Sequence, residues 1–186
     1  MIDQIAIWKV EHTNFRRLLD LLDFQVRAFH DGARPNYDLM LDIIYYLIHY
    51  PDRFHHPKED AAVERLLQKG PEYGPLVAEL TRQHKIIADS GGLLLTQLEG
   101  VVAGALMSRA AVVAPAATYG LYYRQHMAQE EVELFPRVQR SLDMNDWIAV
   151  NEAIPAHKDP LFGDDPENRY ANLHRHIISA AEAVKA

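Results

Sequence analysis

Two stretches of the chain carry the same pair of side chains, a histidine followed four residues later by a glutamate. The pairs are His55 with Glu59 and His126 with Glu130. Residues four apart on a helix lie one turn apart on the same face, so each pair can direct an imidazole and a carboxylate at one point. This combination of ligands suits iron, zinc or manganese.

A single histidine precedes each pair by nearly the same distance. His12 lies 43 residues before His55, and His84 lies 42 residues before His126. Each block therefore predicts a helical hairpin with one histidine on its first helix and the His-x-x-x-Glu pair on its second. Two such hairpins would form a pseudo-symmetric four-helix bundle in which these side chains meet at one level.

Carboxylates in such a bundle core are costly to bury unless a positive charge compensates them. Two divalent or trivalent cations would do so, because a carboxylate can bridge two metals whereas an imidazole binds one. Six ligands for two metals would leave open positions for water, hydroxide, oxygen or another small ligand, which is typical of a reactive or sensing site. The six candidate metal ligands are His12, His55, Glu59, His84, His126 and Glu130.

The amino-acid composition excludes several kinds of site and partner. The chain of 186 residues has ten histidines but no cysteine, and the lack of cysteine excludes disulfides, thiolate metal sites and thiol catalysis. The net charge of −7 argues against nucleic acid or an anionic membrane as the main partner. No signal peptide is recognisable, and charged residues, glycines and Pro115 interrupt the most apolar stretch. We therefore expect a cytoplasmic protein without a membrane span.

Helical periodicity dominates the sequence and predicts an all-α protein, an up-down-up-down four-helix bundle with a C-terminal helical extension. The four predicted bundle helices cover about residues 3–29, 37–69, 75–100 and 108–140. Ser108 should cap the fourth helix, Pro51 and Pro57 should bend the second, and Pro115 should kink the fourth. The predicted inward stripe of the first helix comprises Ile5, Trp8, His12, Phe15, Leu19 and Leu22.

The remainder of the chain, residues 141–186, is predicted to be a helical appendage that packs on the bundle of residues 1–140. It should contain a short helix over about residues 143–154, a polar loop over 158–166 and a last helix over about 167–184. Two apolar residues, Leu161 and Phe162, lie in this loop. We expect them to dock on the bundle; a contact between copies of the chain in a homo-oligomer is the alternative.

Four segments of the sequence together resemble the hemerythrin-like HHE cation-binding family. They are Glu11-His12, FHHPKED at residues 54–60, His84, and YYRQHMAQEE at residues 122–131. The resemblance spans about residues 1–140 and implies a non-haem centre of two iron ions. A bridging oxo or hydroxo group could link the two ions. Zinc or manganese could take the place of iron. It assigns the ligand role to the same six residues. His56 is an additional candidate, because related domains can use the residue after the second-helix histidine.

Two positions differ from the oxygen-carrying hemerythrins. Those proteins have a His-x-x-x-His pair on the third helix, whereas here Ala88 lies four residues after His84. They also have an aspartate five residues after the last histidine, whereas here Glu130 lies at four and Glu131 at five. Both differences argue against reversible oxygen carriage. The single histidine on the third helix is closer to the iron-sensing F-box hemerythrin domain and to the iron-centre repair proteins.

Other residues near the candidate ligands have simpler interpretations. His49 lies seven residues before His56, so we interpret the two as a partly exposed pair that flanks the site. Tyr122 and Trp8 each lie one turn before a candidate ligand, and core packing explains them better than gating or redox tuning does. Surface charge and hydrogen bonding to other ligands both stay open as roles for Glu11, Asp60 and Glu131.

Three functions are compatible with this site. The first is a di-iron protein that binds or senses oxygen, nitric oxide or the iron or redox state. The second is a di-iron enzyme that acts on peroxide or repairs iron centres, and the third is a passive metal-binding or storage domain. A ferritin-like oxidase is disfavoured because that class uses Glu-x-x-His pairs and more carboxylates. No nucleophile or glycine-rich cofactor loop is recognisable, so we favour a binding protein and leave enzyme activity open.

Overall fold

The computed structural model describes residues 3–154, 157–163 and 165–183 of the chain. Within these ranges every regular element is helical and no strand occurs. The predicted all-α fold class is therefore confirmed. Met1, the expected start of the bundle, and Val184, the expected end of the last helix, lie outside the described residues.

The predicted second helix is divided into α2 and α3, and the predicted fourth helix into α5 and α6. None of the helices in the described ranges is both long and apolar enough to span a lipid bilayer. In chain order the α-helices are α1 (Gln4–His30), α2 (Tyr37–Tyr50), α3 (His56–Leu67), α4 (Gly74–Val102), α5 (Arg109–Gln129), α6 (Phe135–Ser141), α7 (Met144–Ala153) and α8 (Ala171–Ala183).

Four helical units form the bundle, namely α1, α2 with α3, α4, and α5 with α6. α1 packs against α2 and α5, and α4 packs against the same two helices, so the units close into a ring. Because the connections between consecutive units are short, neighbouring units run in opposite directions. This is the up-down-up-down bundle that the sequence predicts.

Side chains cap the N-termini of α5 and α7. The Ser108 side chain accepts a hydrogen bond from the Ala111 backbone N–H at the start of α5, as predicted. The α-helix then continues through Pro115 without interruption. At the start of α7, Asp143 and Asp146 form a reciprocal capping box in which each side chain accepts from the other residue's backbone N–H.

A π-turn, Pro51–His55, joins α2 to α3. Pro57 has no N–H to donate to the carbonyl of Arg53, and its ring would clash with that carbonyl in a regular α-helix. The helix widens by one residue instead, and the His56 N–H donates to the carbonyl of Pro51, five residues back. The bend expected near Pro51 and Pro57 thus takes the form of a widened turn.

A second π-turn, Glu130–Leu134, joins α5 to α6 and has the same cause. Pro136 follows it by two residues, just as Pro57 follows the first π-turn. The Phe135 N–H donates to the carbonyl of Glu130. Each widened turn therefore adjoins one of the two His-x-x-x-Glu pairs, and π-turns within α-helices are frequent at functional sites.

Polar side chains divide the interior of the bundle into two apolar clusters. We call the larger cluster the main core. Along α1, Trp8 belongs to the smaller cluster and Phe15 to the main core, and His12 lies between them. Both clusters draw on every unit of the bundle, so the level of His12 is enclosed by apolar packing above and below. The predicted stripe is confirmed as buried at Ile5, Trp8, His12, Phe15, Leu19 and Leu22.

A glycine sets the distance between α4 and α5. A Cβ atom added at Gly91 would lie 2.7 Å from Tyr119 Cε2 and 3.3 Å from Ile48 Cγ1. A larger residue would displace the Tyr119 ring, because side chains in protein interiors are close-packed. Gly91 therefore gives the Tyr119 side chain its place in the main core.

The part of the chain beyond α6 packs on the side of the bundle formed by α2 and α3. α7 contacts α3, and α8 contacts α2. Leu161 is fully buried in the main core, and the Tyr46 hydroxyl donates to Asp159 Oδ2 at 2.9 Å. Asp159 Oδ1 in turn accepts from the backbone N–H groups of Leu161 and Phe162, which fixes this short turn against α2.

Candidate metal centre

Three of the predicted side chains form a compact cluster between α1 and the start of α3. We call His12, His55 and Glu59 the His12 group. His12 Nε2 lies 3.1 Å from His55 Nε2 and 3.6 Å from Glu59 Oε1, and His55 Nε2 lies 3.2 Å from the same oxygen. All three side chains are only 1% exposed, so the cluster is shielded from bulk water.

A second cluster, the His84 group, consists of His56, Glu59, His84 and His126. One potential ligand atom from each residue lies within 4.8 Å of the others. The Nε2 atoms of His84 and His126 are 2.9 Å apart, and the ring centres of His56 and His84 are 4.6 Å apart. The His84 side chain is 22% exposed, so this group reaches towards the protein surface.

Two glutamates connect the groups. Glu59 belongs to both. Glu130 Oε1 lies 3.1 Å from His126 Nε2, and Glu130 Oε2 lies 3.5 Å from His12 Nε2. Each carboxylate therefore lies close to imidazole nitrogens of both groups and could be shared by cations held there. The structure brings all six predicted residues together, and His56 with them.

Three of the four carboxylate oxygens of Glu59 and Glu130 have no hydrogen-bond partner in the part of the chain that the structure describes. Among the described residues, both oxygens of Glu59 and Oε2 of Glu130 are buried and accept no hydrogen bond. Imidazole nitrogens lie within 3.6 Å of Glu59 Oε1 and Glu130 Oε2. A buried, ionised carboxylate without a donor is strongly unfavourable. A cation among these nitrogens and oxygens would remove that cost, so the residues present fit a metal.

Acidic residues hold the outer nitrogens of the His12 group. His55 Nδ1–H donates to Glu11 Oε2 at 2.8 Å, and the Tyr50 hydroxyl donates to the other oxygen of Glu11 at 3.0 Å. His12 Nδ1–H donates to Glu131 Oε1 at 3.0 Å. Because a carboxylate only accepts, these bonds place a proton on each Nδ1 and direct each Nε2 to the centre, as metal-binding histidines require.

Two histidines of the His84 group are oriented in the same way. His56 Nδ1–H donates to Asp52 Oδ1 at 3.0 Å. His126 Nδ1–H donates to the side-chain oxygen of Gln83 at 3.2 Å. Gln83 presents this oxygen because its own amide nitrogen donates to Gln129 Oε1 at 2.7 Å. The partner of His126 is therefore neutral, unlike the carboxylates that hold the His12 group.

The acidic surroundings favour protonated histidines in the His12 group. Burial lowers the pKa of His55, but the charge of Glu59 and the hydrogen bond to Glu11 outweigh burial and raise this pKa to about 10. Burial also lowers the pKa of His12, and the hydrogen bond to Glu131 with the charge of Glu59 again produces a net increase. Without a cation, protons on these imidazoles compensate the buried carboxylate.

His84 has the opposite electrostatic environment. Burial lowers its pKa, and the neighbouring imidazoles of His56 and His126 lower it further, to about 2. Asp60 lies 3.8 Å from His84 Nδ1, which is too far for a hydrogen bond. His84 is therefore neutral at physiological pH.

The third imidazole of the His84 group comes from α3 and not from α4. Ala88, four residues after His84, is exposed, whereas Ile87 faces the interior. His56 supplies the third imidazole of the cluster, because the π-turn widens the helix just before it. Adjacent residues of a regular α-helix point about 100° apart, but here both His55 and His56 are directed inward and are 1% and 7% exposed.

His49 lies apart from the metal centre. Its side chain is exposed, its ring stacks on Tyr45 at 3.8 Å, and its Nδ1–H donates to the Tyr45 carbonyl at 2.7 Å. The interpretation of His49 and His56 as a partly exposed pair on one face is wrong. It assumed an uninterrupted α-helix, and the π-turn between the two residues changes their relative direction.

Tyr123 lies near the centre, but it is not among the residues predicted from the sequence. Tyr122, the neighbouring residue one turn before His126, is only half-buried, whereas Tyr123 is 1% exposed. Tyr123 lies three residues before His126, and positions three and four before a ligand share its face, so the spacing contains this signal. Burial raises the pKa of Tyr123 and of its neighbour Tyr119 well above the usual value, so both phenols keep their protons.

The fold and this cluster define a class of protein, the helical bundles that hold cations between their helices with histidine and carboxylate side chains. A family model described as the hemerythrin HHE cation binding domain matches residues 3–138. The chain belongs to this family, as the four segments of its sequence predict. No curated protein and no solved structure matches the chain. Family membership and the histidine and glutamate clusters together support cation binding.

Proposed function

We propose that this chain is a non-haem di-iron protein that binds or senses oxygen, nitric oxide or the iron or redox state. The His12 group would hold one iron ion and the His84 group the other, with Glu59 and Glu130 shared between them. When bound, the iron pair would supply open positions for a small ligand and a change of oxidation state. In this proposal residues 1–140 are the metal-binding unit and residues 141–186 an appendage.

The convergence of donor atoms carries this proposal. Imidazole nitrogens converge on Glu59 and Glu130, and both oxygens of Glu59 and Oε2 of Glu130 are buried without a hydrogen-bond partner among the described residues. A polar network that served only stability would pair these oxygens with donors, because an unpaired buried acceptor costs free energy. Hydrogen bonds to the outer Nδ1 atoms of four histidines orient the imidazoles towards these carboxylates.

The number of donors favours iron. The His84 group has three imidazoles, and both Glu59 and Glu130 lie within its reach. Five donors exceed the tetrahedral set that zinc prefers in structural sites. Manganese prefers a set richer in oxygen, whereas imidazole suits iron.

The His12 group favours a small ligand. It offers two imidazoles where the His84 group offers three, so an open position is expected on its side. Its rings are packed against apolar neighbours: His12 stacks on Phe135 at 5.4 Å, and His55 meets Phe15 edge-on at 5.1 Å. Such packing leaves room for a diatomic molecule or a small anion more readily than for an organic substrate, which supports a binding or sensing role.

Metal analysis tests the di-iron assignment. Protein produced with iron should contain about two iron ions per chain, as in other di-iron bundles. His126→Ala should lose most of the metal, because it removes a ligand of the His84 group and the neighbour of Glu130. His176→Ala, an exposed histidine of α8, is the matched control and should keep the full content. A wild-type protein that binds no iron under these conditions would contradict the proposal.

Optical titration separates a binder from an enzyme. The reduced, iron-loaded protein would be titrated with oxygen, nitric oxide and peroxide in turn. Stoichiometric and reversible spectral changes are expected for a binding or sensing protein. Sustained turnover of peroxide would instead identify an enzyme.

A further inference from the structure

Tyr123 is a fully enclosed phenol without a hydrogen-bond partner. Its side chain is 1% exposed, and its hydroxyl makes no hydrogen bond to any of the described residues. The great majority of buried hydroxyl groups are paired, so a lone one indicates that its partner is not a protein group.

The Tyr123 ring lies beside the metal centre, on the side of the main core. Its centre is 6.2 Å from the ring centre of His56 and 6.1 Å from that of Phe15. Phe15 in turn contacts His55 at 5.1 Å, so Tyr123 adjoins the His84 group directly and the His12 group through the Phe15 ring.

Three other buried donors among the described residues are also unpaired. Arg124 Nη1 is one of them, but the same guanidinium donates through Nη2 to two aspartates of α1. Trp8 Nε1 has no partner, yet the Trp8 ring packs against Phe135 and Trp147, neither of which is a candidate ligand. The Tyr119 hydroxyl has no partner either, and its ring lies behind that of Tyr123 at 5.4 Å. Tyr123 is therefore the donor that directly adjoins the centre.

We propose that the Tyr123 hydroxyl donates a hydrogen bond to the small ligand that occupies the open position of the metal centre. This inference rests on the proposed di-iron function and adds a ligand class to it. The bond selects an anion, or a ligand that gains negative charge when it binds, over an apolar molecule of the same size. Gly91 contributes indirectly, because it leaves space for Tyr119, which packs against the Tyr123 ring and holds it in place.

Azide binding to the iron-loaded protein tests this inference, since azide is a small anion that accepts hydrogen bonds. Tyr123→Phe keeps the ring and removes only the hydroxyl, and Tyr119→Phe is the matched control. Iron content is measured first on every sample. We expect unchanged iron in both variants and an azide Kd about ten- to a hundredfold higher in Tyr123→Phe alone, as for the loss of a charge-assisted bond. The infrared stretch of bound azide should shift only in Tyr123→Phe and lose its sensitivity to deuterated solvent.

Several results would overturn the inference. An azide Kd that is the same in Tyr123→Phe and wild type would show that the hydroxyl does not reach the ligand. Equal weakening in both variants would indicate a general loosening of the main core. A visible tyrosinate-to-iron band in the azide-free wild type, lost in Tyr123→Phe, would make Tyr123 a ligand and not a donor. Wild-type protein without iron would defeat the proposed function itself, before any azide is added.

Discussion

The His12 group and the His84 group share Glu59 but offer a cation very different surroundings. His12 and His55 are almost completely buried, and carboxylates on their outer nitrogens raise their pKa values. His84 is 22% exposed, has no hydrogen-bonded carboxylate, and has its pKa lowered to about 2. A cation must therefore displace protons to enter the His12 group, whereas it meets a neutral imidazole near the surface at His84.

This difference shows how similar side chains acquire unequal roles in a pseudo-symmetric bundle. Four histidines are held by different outer partners: Glu11 and Glu131 at the His12 group, and Asp52 and Gln83 at the His84 group. A negative partner increases the basicity of the imidazole and the stability of a bound cation. We therefore expect the His12 group to hold its metal more tightly and the His84 group to admit metal more readily.

Removing the shared carboxylate should have the largest effect. Glu59→Gln keeps the shape of the side chain but removes the charge that both groups use, so iron content should fall from about two ions per chain to nearly none. Glu64→Gln, an exposed glutamate of α3, is the control and should keep both ions. Iron is measured by elemental analysis and folding by circular dichroism. A folded Glu59→Gln protein that retains both ions would contradict the shared role.

Removing His56 should separate the groups. His56→Ala takes the third imidazole from the His84 group and leaves the His12 group intact, so about one iron ion per chain should remain. His49→Ala removes an exposed histidine of α2 that stacks on Tyr45, and it should retain both ions. Elemental analysis of the two variants decides the point. Retention of both ions in His56→Ala would exclude His56 as a ligand, and loss of both would show that the groups are not separable.

Changing an outer partner should have a smaller effect. Glu11→Gln weakens the hydrogen bond to His55 Nδ1, and we expect iron affinity to fall about ten- to a hundredfold, as for other outer partners of metal-binding histidines. Asp60→Asn changes an acid 3.8 Å from His84 Nδ1 that forms no hydrogen bond there, so it should leave affinity unchanged. Competition with a chelator measures both. Equal effects would remove the distinction between the groups.

The number of protons released when a metal ion binds should differ between the two groups, and this is the smallest effect that we expect. The pKa of His55 is raised to about 10, so this imidazole is protonated at neutral pH and must lose its proton to bind a cation. Affinity at the His12 group should therefore increase as pH rises towards 10, while His84, with a pKa of about 2, releases no proton in this range. Calorimetry in buffers of different ionisation enthalpy compares His56→Ala with His12→Ala. His56→Ala should release more protons per metal, and equal release would contradict the assigned electrostatics.

The helices and the main ligand pairs follow directly from sequence spacing. The intervals between His55 and Glu59 and between His126 and Glu130 match one helical turn, and the structure places both pairs within 3.2 Å. The cap at Ser108 and the buried stripe of α1 also depend on local patterns, and they agree with prediction. Local periodicity is strong in these segments because the bundle helices are long.

The inward direction of His56 and the outer partners could not be read from spacing. Pro57 forces a π-turn between His49 and His56. Residues seven apart share one face of a regular α-helix, but they do not when a wider turn lies between them. Glu11 directly precedes His12 in the sequence, but it accepts a hydrogen bond from His55. Glu131 directly follows Glu130, but it accepts a hydrogen bond from His12 on α1. Such contacts depend on how the helices pack against each other, which a single sequence does not contain.

The central claim is that the His12 group and the His84 group each hold one metal ion and that the two ions share Glu59 and Glu130. An anomalous difference map at the iron absorption edge, from crystals of the iron-loaded protein, tests it most directly. We expect two peaks about 3.5–4 Å apart, one next to Nε2 of His12 and His55 and the other among His56, His84 and His126. A single peak, or two peaks with the His56 ring turned away from both, would contradict the account.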